Sequence, residues 1–211
     1  MIDKNTKIYG SFSSNPGNNG CKFFNTMFEK DGVNAIYKSF YSKDILESII
    51  AVKILDIKGF AVSMPFKVEI LKFVDEQSPQ VKEIGAANTI LNEDRYLIAF
   101  NTDWMGVYEY LRPGSPGRLT HGPIDKLTIL GNGGFSKAVQ YACKKLGIPT
   151  KIITRTNWDT IQDVSNTIFN ATPVDVKHEN LIDGRPHTAD GKIIANLQAI
   201  EQYKLYTNEL S

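Results

Sequence analysis

Three residues in the first half of the chain carry chemistries that one reaction could use together. They are an amine at Lys67 in "AVSMPFK" (61–67), a carboxamide at Asn88 in "AANTI" (86–90) and a carboxylate at Asp103 in "FNTDW" (100–104). Each stands at the edge of a strand-like run. Lys67 follows "SMPF" directly, where the end of a parallel strand delivers side chains to the crevice in which α/β sheets bind ligands. An amine in such a place can act as acid or base toward a carbonyl or alcohol oxygen if its proton affinity matches the task or its proton is relayed. Taken singly, none of the three is specific. Most lysines sit on the surface, Asn88 suits a turn, and Asp103 suits a helix N-cap. It is the conjunction that points to chemistry.

The elements needed to hold these residues alternate along 1–100 between short β-rich runs and helical patterns, which predicts βαβ units and a mainly parallel sheet. "KIYGSF" (7–12) reads as a strand, and "CKFFNTMFEKDG" (21–32) as a helix that stops at Gly32. Phe23, Phe24, Met27 and Phe28 form its buried face. "AIYKSFY" is a second strand, Ser42 caps a helix through "KDILESIIAVKIL", and "GFAVSM" is a buried strand closed by Pro65. "NTILN" and "RYLIAFN", joined by the polar "ED", suggest a hairpin. From Thr102 a helix runs to "YEYLR" and ends before Pro113.

The run "PGSPGRLTHGP" (113–123) holds three prolines and three glycines and reads as a linker between domains, 1–112 and 124 onward. Beyond it, "KLTIL" is a buried strand, "GNGGFSKAVQYACKKLG" a glycine turn opening a helix, and "TKIITR" a second strand. This is one βαβ unit of the dinucleotide-binding kind, in which amide N–H groups at a helix start face a pyrophosphate. The turn Gly131, Gly133, Gly134 is G-x-G-G rather than G-x-G-x-x-G, and a tight turn in a generic α/β protein reads the same way. At the end of the second strand, where an acidic residue would hold a ribose hydroxyl, stands Arg155. A guanidinium suits a 2′-phosphate and favours NADP over NAD. A surface arginine explains the residue equally well.

Composition narrows the partners. The chain has 211 residues, 42% hydrophobic and 22% charged, with a net charge of +1, which is ordinary globular composition without the basic stripe of a nucleic-acid or membrane-surface binder. A small neutral or weakly acidic ligand is expected. Cys21 and Cys143 lack any paired spacing, so a reduced cytoplasmic setting is the simplest expectation. "MIDKNTK" lacks the apolar core of a secretory signal, and no run approaches a membrane span. His121, His178 and His187 fall in polar segments without metal-ligand spacing and are expected to be exposed; no metal site is predicted.

Together these stretches resemble the shikimate dehydrogenase family. "VSMPFK", "IGAANTI" and "FNTDWMG" are similar to its substrate-domain motifs V-T-x-P-x-K, G-A-x-N-T and N-T-D-x-x-G, in order. "LGNGGFSKA", "TRT" and "NATP" are similar to its cofactor-domain motifs, and "GKIIANLQAIEQYKLYT" to its terminal helix. The resemblance covers nearly the whole chain. It implies an N-terminal, mainly parallel α/β substrate domain, a shortened Rossmann-like NADP-binding domain at 124–189, and a C-terminal helix, 190–211, packing back on the first domain. It implies Lys67 as catalytic acid/base with Asp103 as partner, and Ser63, Asn88, Gln198 and Asn18 around the substrate. Gly131, Gly133, Gly134, Phe135, Thr154, Arg155, Thr156 and Gly191 would hold the cofactor. The implied reaction is hydride transfer between NADPH and 3-dehydroshikimate or a related hydroxylated cyclic acid, in a monomer or homodimer.

Two stretches depart from the family. Where its first loop carries two serines for the substrate carboxylate and a histidine, "NNGCKFFN" places Asn18, Gly20 and Phe24, with Ser11, Ser13 and Ser14 nearby. This pattern looks like a shikimate dehydrogenase-like branch. The second domain is short: only 157–166 remain for one crossover, and "VDVKHENLIDGRPHTAD" (174–190) reads as having no apolar strand and lacks the family's substrate-facing tyrosine. A non-catalytic protein that keeps the substrate crevice is the alternative reading.

Overall fold

A computed structural model describes residues 2–115 and 122–208. The core of the expected linker, 116–121, and with it His121, lies outside the described residues. Contacts divide the chain into two compact units, Met1–Thr102 with Ala199–Ser211, and Asp103–Gln198.

The first unit holds a six-stranded sheet made of β1 (Lys7–Ser13), β2 (Ala35–Tyr41), β3 (Gly59–Val62), β4 (Glu76–Gln77), β5 (Thr89–Glu93) and β6 (Tyr96–Phe100), in the order β2-β1-β3-β5-β6-β4. β1 runs parallel to β2 and β3, and β4 parallel to β6; β5 is antiparallel to both its neighbours. The β5–β6 hairpin turns at Asp94 and Arg95, both at positive φ (51° and 74°), one residue later than "ED" suggests. Phe12, Ile45, Val52, Phe60, Ile70, Ile90 and Leu97 fill the core on one side.

On the other side, α1 (Asn19–Lys30) buries Phe24 and Phe28, four residues apart on one face, as its periodicity predicts. Phe24 stacks on Tyr37 with ring centroids 4.4 Å apart. β2 is an edge strand, so its outward backbone groups need partners. Asn25 supplies them at Tyr37, donating to the carbonyl (2.9 Å) and accepting from the amide (2.8 Å), while the Ser39 amide donates to Cys21 Sγ (3.3 Å). Helix α2 (Ile45–Ile54) is capped by Asp44, whose carboxylate accepts from the Leu46 amide (2.7 Å). Ser42 is not its cap: the Ser42 hydroxyl bonds Ser48 and the Asp44 backbone instead. The short helices α3 (Phe66–Glu69) and α4 (Pro79–Ile84) complete the unit.

The second unit holds α5 (Asp103–Leu111), α6 (Gly134–Leu146) and a four-stranded parallel sheet of β7 (Leu127–Leu130), β8 (Thr150–Ile153), β9 (Thr167–Asn170) and β10 (Leu181–Asp183), ordered β10-β9-β7-β8. β10 lies within 174–190, where no apolar strand is expected. Only three residues long, with one apolar side chain fully buried (Ile182) and a carboxylate (Asp183) neutralised by Arg185, it carries no apolar run. The β8–β9 crossover consists of 3₁₀ turns over Arg155–Asp163 broken by non-helical backbone at Asn157 (φ −136°, ψ 32°), and its Trp158 and Ile161 pack against Leu130, Ile153, Val164 and Ile168. His178 is half-buried rather than exposed. Its Nδ1 accepts from the Asn180 amide (3.2 Å), which leaves the proton on Nε2 for the Val164 carbonyl (2.9 Å). His187 is exposed.

Helix α7 (Ala189–Thr207) runs through both groupings, with Ala199 onward assigned to the first. There Tyr203 donates to Asp31 (2.7 Å) and Tyr9 donates to the Tyr206 carbonyl (2.9 Å). No helix among the described residues is long and apolar enough to cross a membrane. Replacing Asn25 with Ala strips both backbone groups of Tyr37 of their partner, an expected loss of about 1–3 kcal/mol. At roughly 2–4 °C per kcal/mol for a chain of this size, thermal denaturation reads it directly; an unchanged melting temperature would show that the edge needs no such cover.

Candidate active site

In the first unit the site grows from the ends of β3, β5 and β6. Beyond Val62 the chain turns through Ser63, whose amide donates to the Phe12 carbonyl (3.1 Å) and whose carbonyl accepts from the Phe66 amide (2.8 Å), with Met64–Pro65 cis. Lys67 therefore stands within α3, half-buried, rather than at the strand end itself. Its carbonyl accepts from the Ala87 amide (2.8 Å), which ties α3 to the segment entering β5. Ser63 is exposed beside it. The loop carrying Asn18 meets this turn through Ser14 Oγ, which donates to the Met64 carbonyl (3.4 Å).

Asn88, 4% exposed, precedes β5, and its side chain closes a ring of hydrogen bonds. The Thr102 amide donates to Asn88 Oδ1 (2.7 Å), Asn88 Nδ2 donates to Thr102 Oγ1 (3.0 Å), the two threonine hydroxyls lie 3.2 Å apart, and Thr89 Oγ1 donates to Asn88 Oδ1 (3.0 Å). Thr89 and Thr102 are fully buried. Asn101 Nδ2 adds a bond to the Ala86 carbonyl (2.9 Å). Asp103, 6% exposed, follows Thr102 as the first residue of α5, where a carboxylate is favoured by the helix dipole.

At the start of α1, Asn18 is exposed and its side chain makes no capping bond. A β-carbon on Gly20 would meet the Tyr37 ring at 3.1 Å. The Tyr37 hydroxyl is held in its protonated form by burial, its pKa well above the ordinary tyrosine value. Ser11 bonds Ser39 (3.2 Å) and Ser13 is buried.

In the second unit, the turn after β7 takes Gly131 to φ +98°, and its amide donates to the Ile153 carbonyl (2.8 Å) while Ser136 Oγ donates to its carbonyl (2.7 Å). Gly133 precedes Gly134 at the start of α6, and a β-carbon built on Gly133 finds nothing within 4 Å. Phe135 leans on Phe169 (6.0 Å). At the end of β8, Thr154 and Asn157 form a capping box, Thr154 and Thr156 hydroxyls lie 2.9 Å apart, and Arg155 is exposed. The ends of neighbouring strands β7 and β8 thus bring the glycine turn and Arg155 to one edge of the sheet. Gln198 is half-buried on α7. Gly191 packs against the Arg185 carbonyl, leaving no room for a side chain.

Two networks escaped the sequence reading. One is the pair Thr89 and Thr102, visible only as the residues following asparagine in "ANT" and "NT". The other lies beyond β10: Arg185 donates to Asp183 and Asp175 (both 2.6 Å), and Asp190 accepts from Tyr110 (2.6 Å) and from the Asp183 amide (3.0 Å). The hydrogen bonds to Asp183 and then Asp175 raise the Arg185 pKa, and Arg185 in turn holds the Asp175 carboxyl below the usual range.

A family model described as the shikimate dehydrogenase substrate binding domain matches residues 20–90. A shikimate dehydrogenase-like protein of Haemophilus influenzae is 38% identical over 147 residues, covering 70% of this chain and 52% of that protein. A shikimate dehydrogenase (NADP(+)) of Pyrococcus furiosus is 39% identical over 149 residues, covering 69% and 53%. The matched stretch spans about half the length of these curated relatives. The solved structure of a shikimate 5-dehydrogenase-like protein, 30% identical, superposes with a TM-score of 0.76 over 99% of this chain and 94% of that one.

The two kinds of glycine in the second unit separate experimentally. Gly191→Ala forces a β-carbon onto backbone and is expected to destabilise by about 1–3 kcal/mol, whereas Gly133→Ala, with open space around it, should stay within about 1 kcal/mol of the parent. Parallel thermal melts check this, and equal losses would contradict it.

Proposed function

Because the chain belongs to the shikimate dehydrogenase family, on its shikimate dehydrogenase-like branch, we propose that it is an NADP(H)-dependent oxidoreductase that interconverts a ring carbonyl and a ring hydroxyl on 3-dehydroshikimate or a related hydroxylated cyclic acid. The observation that carries the proposal is the first-unit arrangement, in which the segment bearing Lys67 is bonded to the one entering Asn88, and the Asn88 carboxamide is locked from behind.

The second unit suits a dinucleotide. Gly133 leaves open space at the start of α6, whose first amides can face a pyrophosphate. Gly131, Gly134 and Phe135 shape that turn, Thr154 and Thr156 flank the exposed Arg155, and Arg155 supplies a cation for a 2′-phosphate. Gly191 stands at the start of α7. The name of the Pyrococcus relative supports NADP. When bound, NADPH would supply the hydride. Lys67 donates a proton to the ring oxygen during reduction and withdraws it during oxidation; Asp103 is its partner in that transfer. Ser63, Asn88 and Gln198 hold ring hydroxyls, and Asn18 stands where the family anchors the carboxylate.

The second reading, a binding protein without hydride transfer, draws on one observation: between Pro173 and Gly191 the unit has a single three-residue strand and no tyrosine. Steady-state NADP reduction with saturating shikimate or quinate tests the enzyme reading, and no turnover with either would sink it.

Two variants follow. Lys67→Ala should lower kcat by about 10²–10⁴-fold with a far smaller change in KM, because positioned proton transfer contributes on that scale; unchanged turnover would remove Lys67 from the role. Arg155→Ala should weaken NADPH by about 1.5–3 kcal/mol and leave NADH nearly untouched. Equal loss for both cofactors would place Arg155 away from the 2′-phosphate.

A further inference from the structure

We propose that α2 is a self-association surface. A second copy of this chain lays the same helix face against Leu46, Ile50 and Ile54, about a two-fold axis that brings Glu47 of each copy beside Lys53 of the other. None of these residues belongs to the proposed active site.

The face follows from composition and spacing. Within Ile45–Ile54 only Glu47, Ser48 and Lys53 are polar, and Ser48 is buried. Ile45, Ile49 and Val52 are buried in the core with Phe12, Phe60 and Ile70. Leu46, Ile50 and Ile54, four residues apart, are 47%, 51% and 72% exposed. A helix that covers a core with one face ordinarily presents charged residues on the other. Here the outward face is an aliphatic stripe, contiguous because i and i+4 side chains are neighbours. It leaves on the order of 300 Å² of apolar surface in water, a size at which a patch on a monomer is often functional. Two such stripes face to face contribute about half of the roughly 1,200 Å² at which stable interfaces begin, as the apolar centre inside a polar rim.

The flanking charges select the occupant. Glu47 precedes Ile50 by as many residues as Lys53 follows it, and at about 100° per residue the two stand about 60° to either side of the stripe's midline. Neither makes an ion pair within its own chain among the described residues. A two-fold axis running along the stripe sets Ile50 against Ile50 and carries the Glu47 flank of one copy onto the Lys53 flank of the other, twice, as e and g positions pair in a parallel coiled coil. The face thus complements itself. It does not suit an anionic membrane, whose surface helices carry a basic polar face: Lys43, Lys53 and Lys58, on and beside α2, are matched by Asp44, Glu47 and Asp56, and Lys58 is paired with Asp56 at 2.7 Å.

Sedimentation equilibrium of the full chain, from micromolar to submillimolar concentration, tests this. The parent should show a concentration-dependent monomer–dimer equilibrium. Ile50→Glu, which sets two carboxylates at the axis, should weaken the dimer about a hundredfold or more. Glu47→Lys and Lys53→Glu should each weaken it about tenfold, since either reversal turns two attractive pairs into two repulsive ones. The Glu47→Lys/Lys53→Glu double variant should return to within about threefold of the parent, because the swap restores opposite charges across the axis. All four changes are at side chains outside the core, so circular-dichroism melts should match the parent; should Ile50→Glu fail to fold, Ile54→Glu decides in its place. A parent that stays monomeric at submillimolar concentration, a dimer that Ile50→Glu leaves intact, or reversals that the double swap does not rescue would each overturn the proposal. A monomeric parent that binds phosphatidylserine vesicles, with binding lost in Ile50→Glu, would assign the face to a membrane and overturn it equally.

Discussion

A carboxamide buried to 4% exposure must have its polar groups met inside the protein, and at Asn88 this demand organises the first unit. Its backbone amide donates to the Phe100 carbonyl at the end of β6, and its carbonyl accepts from the Val62 amide at the end of β3. Its side chain grips Thr102, the residue before Asp103. One residue upstream, the Ala87 amide holds the Lys67 carbonyl. The amine, carboxamide and carboxylate noticed in the sequence are thus attached, through backbone, to a single buried junction. A network of this kind is worth more complete than in parts, because each bond removed leaves another group unpaired in a low-dielectric interior.

The second unit repeats the device on a smaller scale. At the end of β9, Asn170 accepts from the Thr172 amide and hydroxyl (3.0 and 2.7 Å) and donates to the Val174 carbonyl (2.9 Å). Beyond β10, the Arg185 guanidinium joins two carboxylates, and Asp190 at the start of α7 gathers the Tyr110 hydroxyl and the Asp183 amide. Short strands bury little apolar surface. Polar side chains fastening the loops behind them substitute for some of the packing that longer elements would provide.

The larger elements were legible because their periods were long enough to show. Phe24 and Phe28 mark the buried face of α1, and the glycine turn between "KLTIL" and "TKIITR" marks β7, α6 and β8. What escaped was short or long-range. The two residues of β4, the six of α4 and the three of β10 are too few for any period to emerge. Ser42 and Asp44 are both competent caps, and which carboxylate or hydroxyl reaches the helix amides depends on the path of the chain. His178 looked solvent-exposed in a polar run, yet backbone groups of Val164 and Asn180 claim both ring nitrogens. Lys67, Asn88 and Asp103 were legible as residues, while the threonines that hold Asn88 were not, since a buried threonine and a surface one look alike in sequence.

The central claim is that this chain is an oxidoreductase and not merely a binder of a cyclic acid. Titrating the intact protein with NADPH, followed by cofactor fluorescence, with and without saturating shikimate, tests it most directly. The account predicts saturable NADPH binding, weaker binding of NADH, and a further change in cofactor fluorescence when shikimate is present. Shikimate binding without any NADPH signal, up to millimolar cofactor, would contradict it and leave the protein as a small-molecule binder.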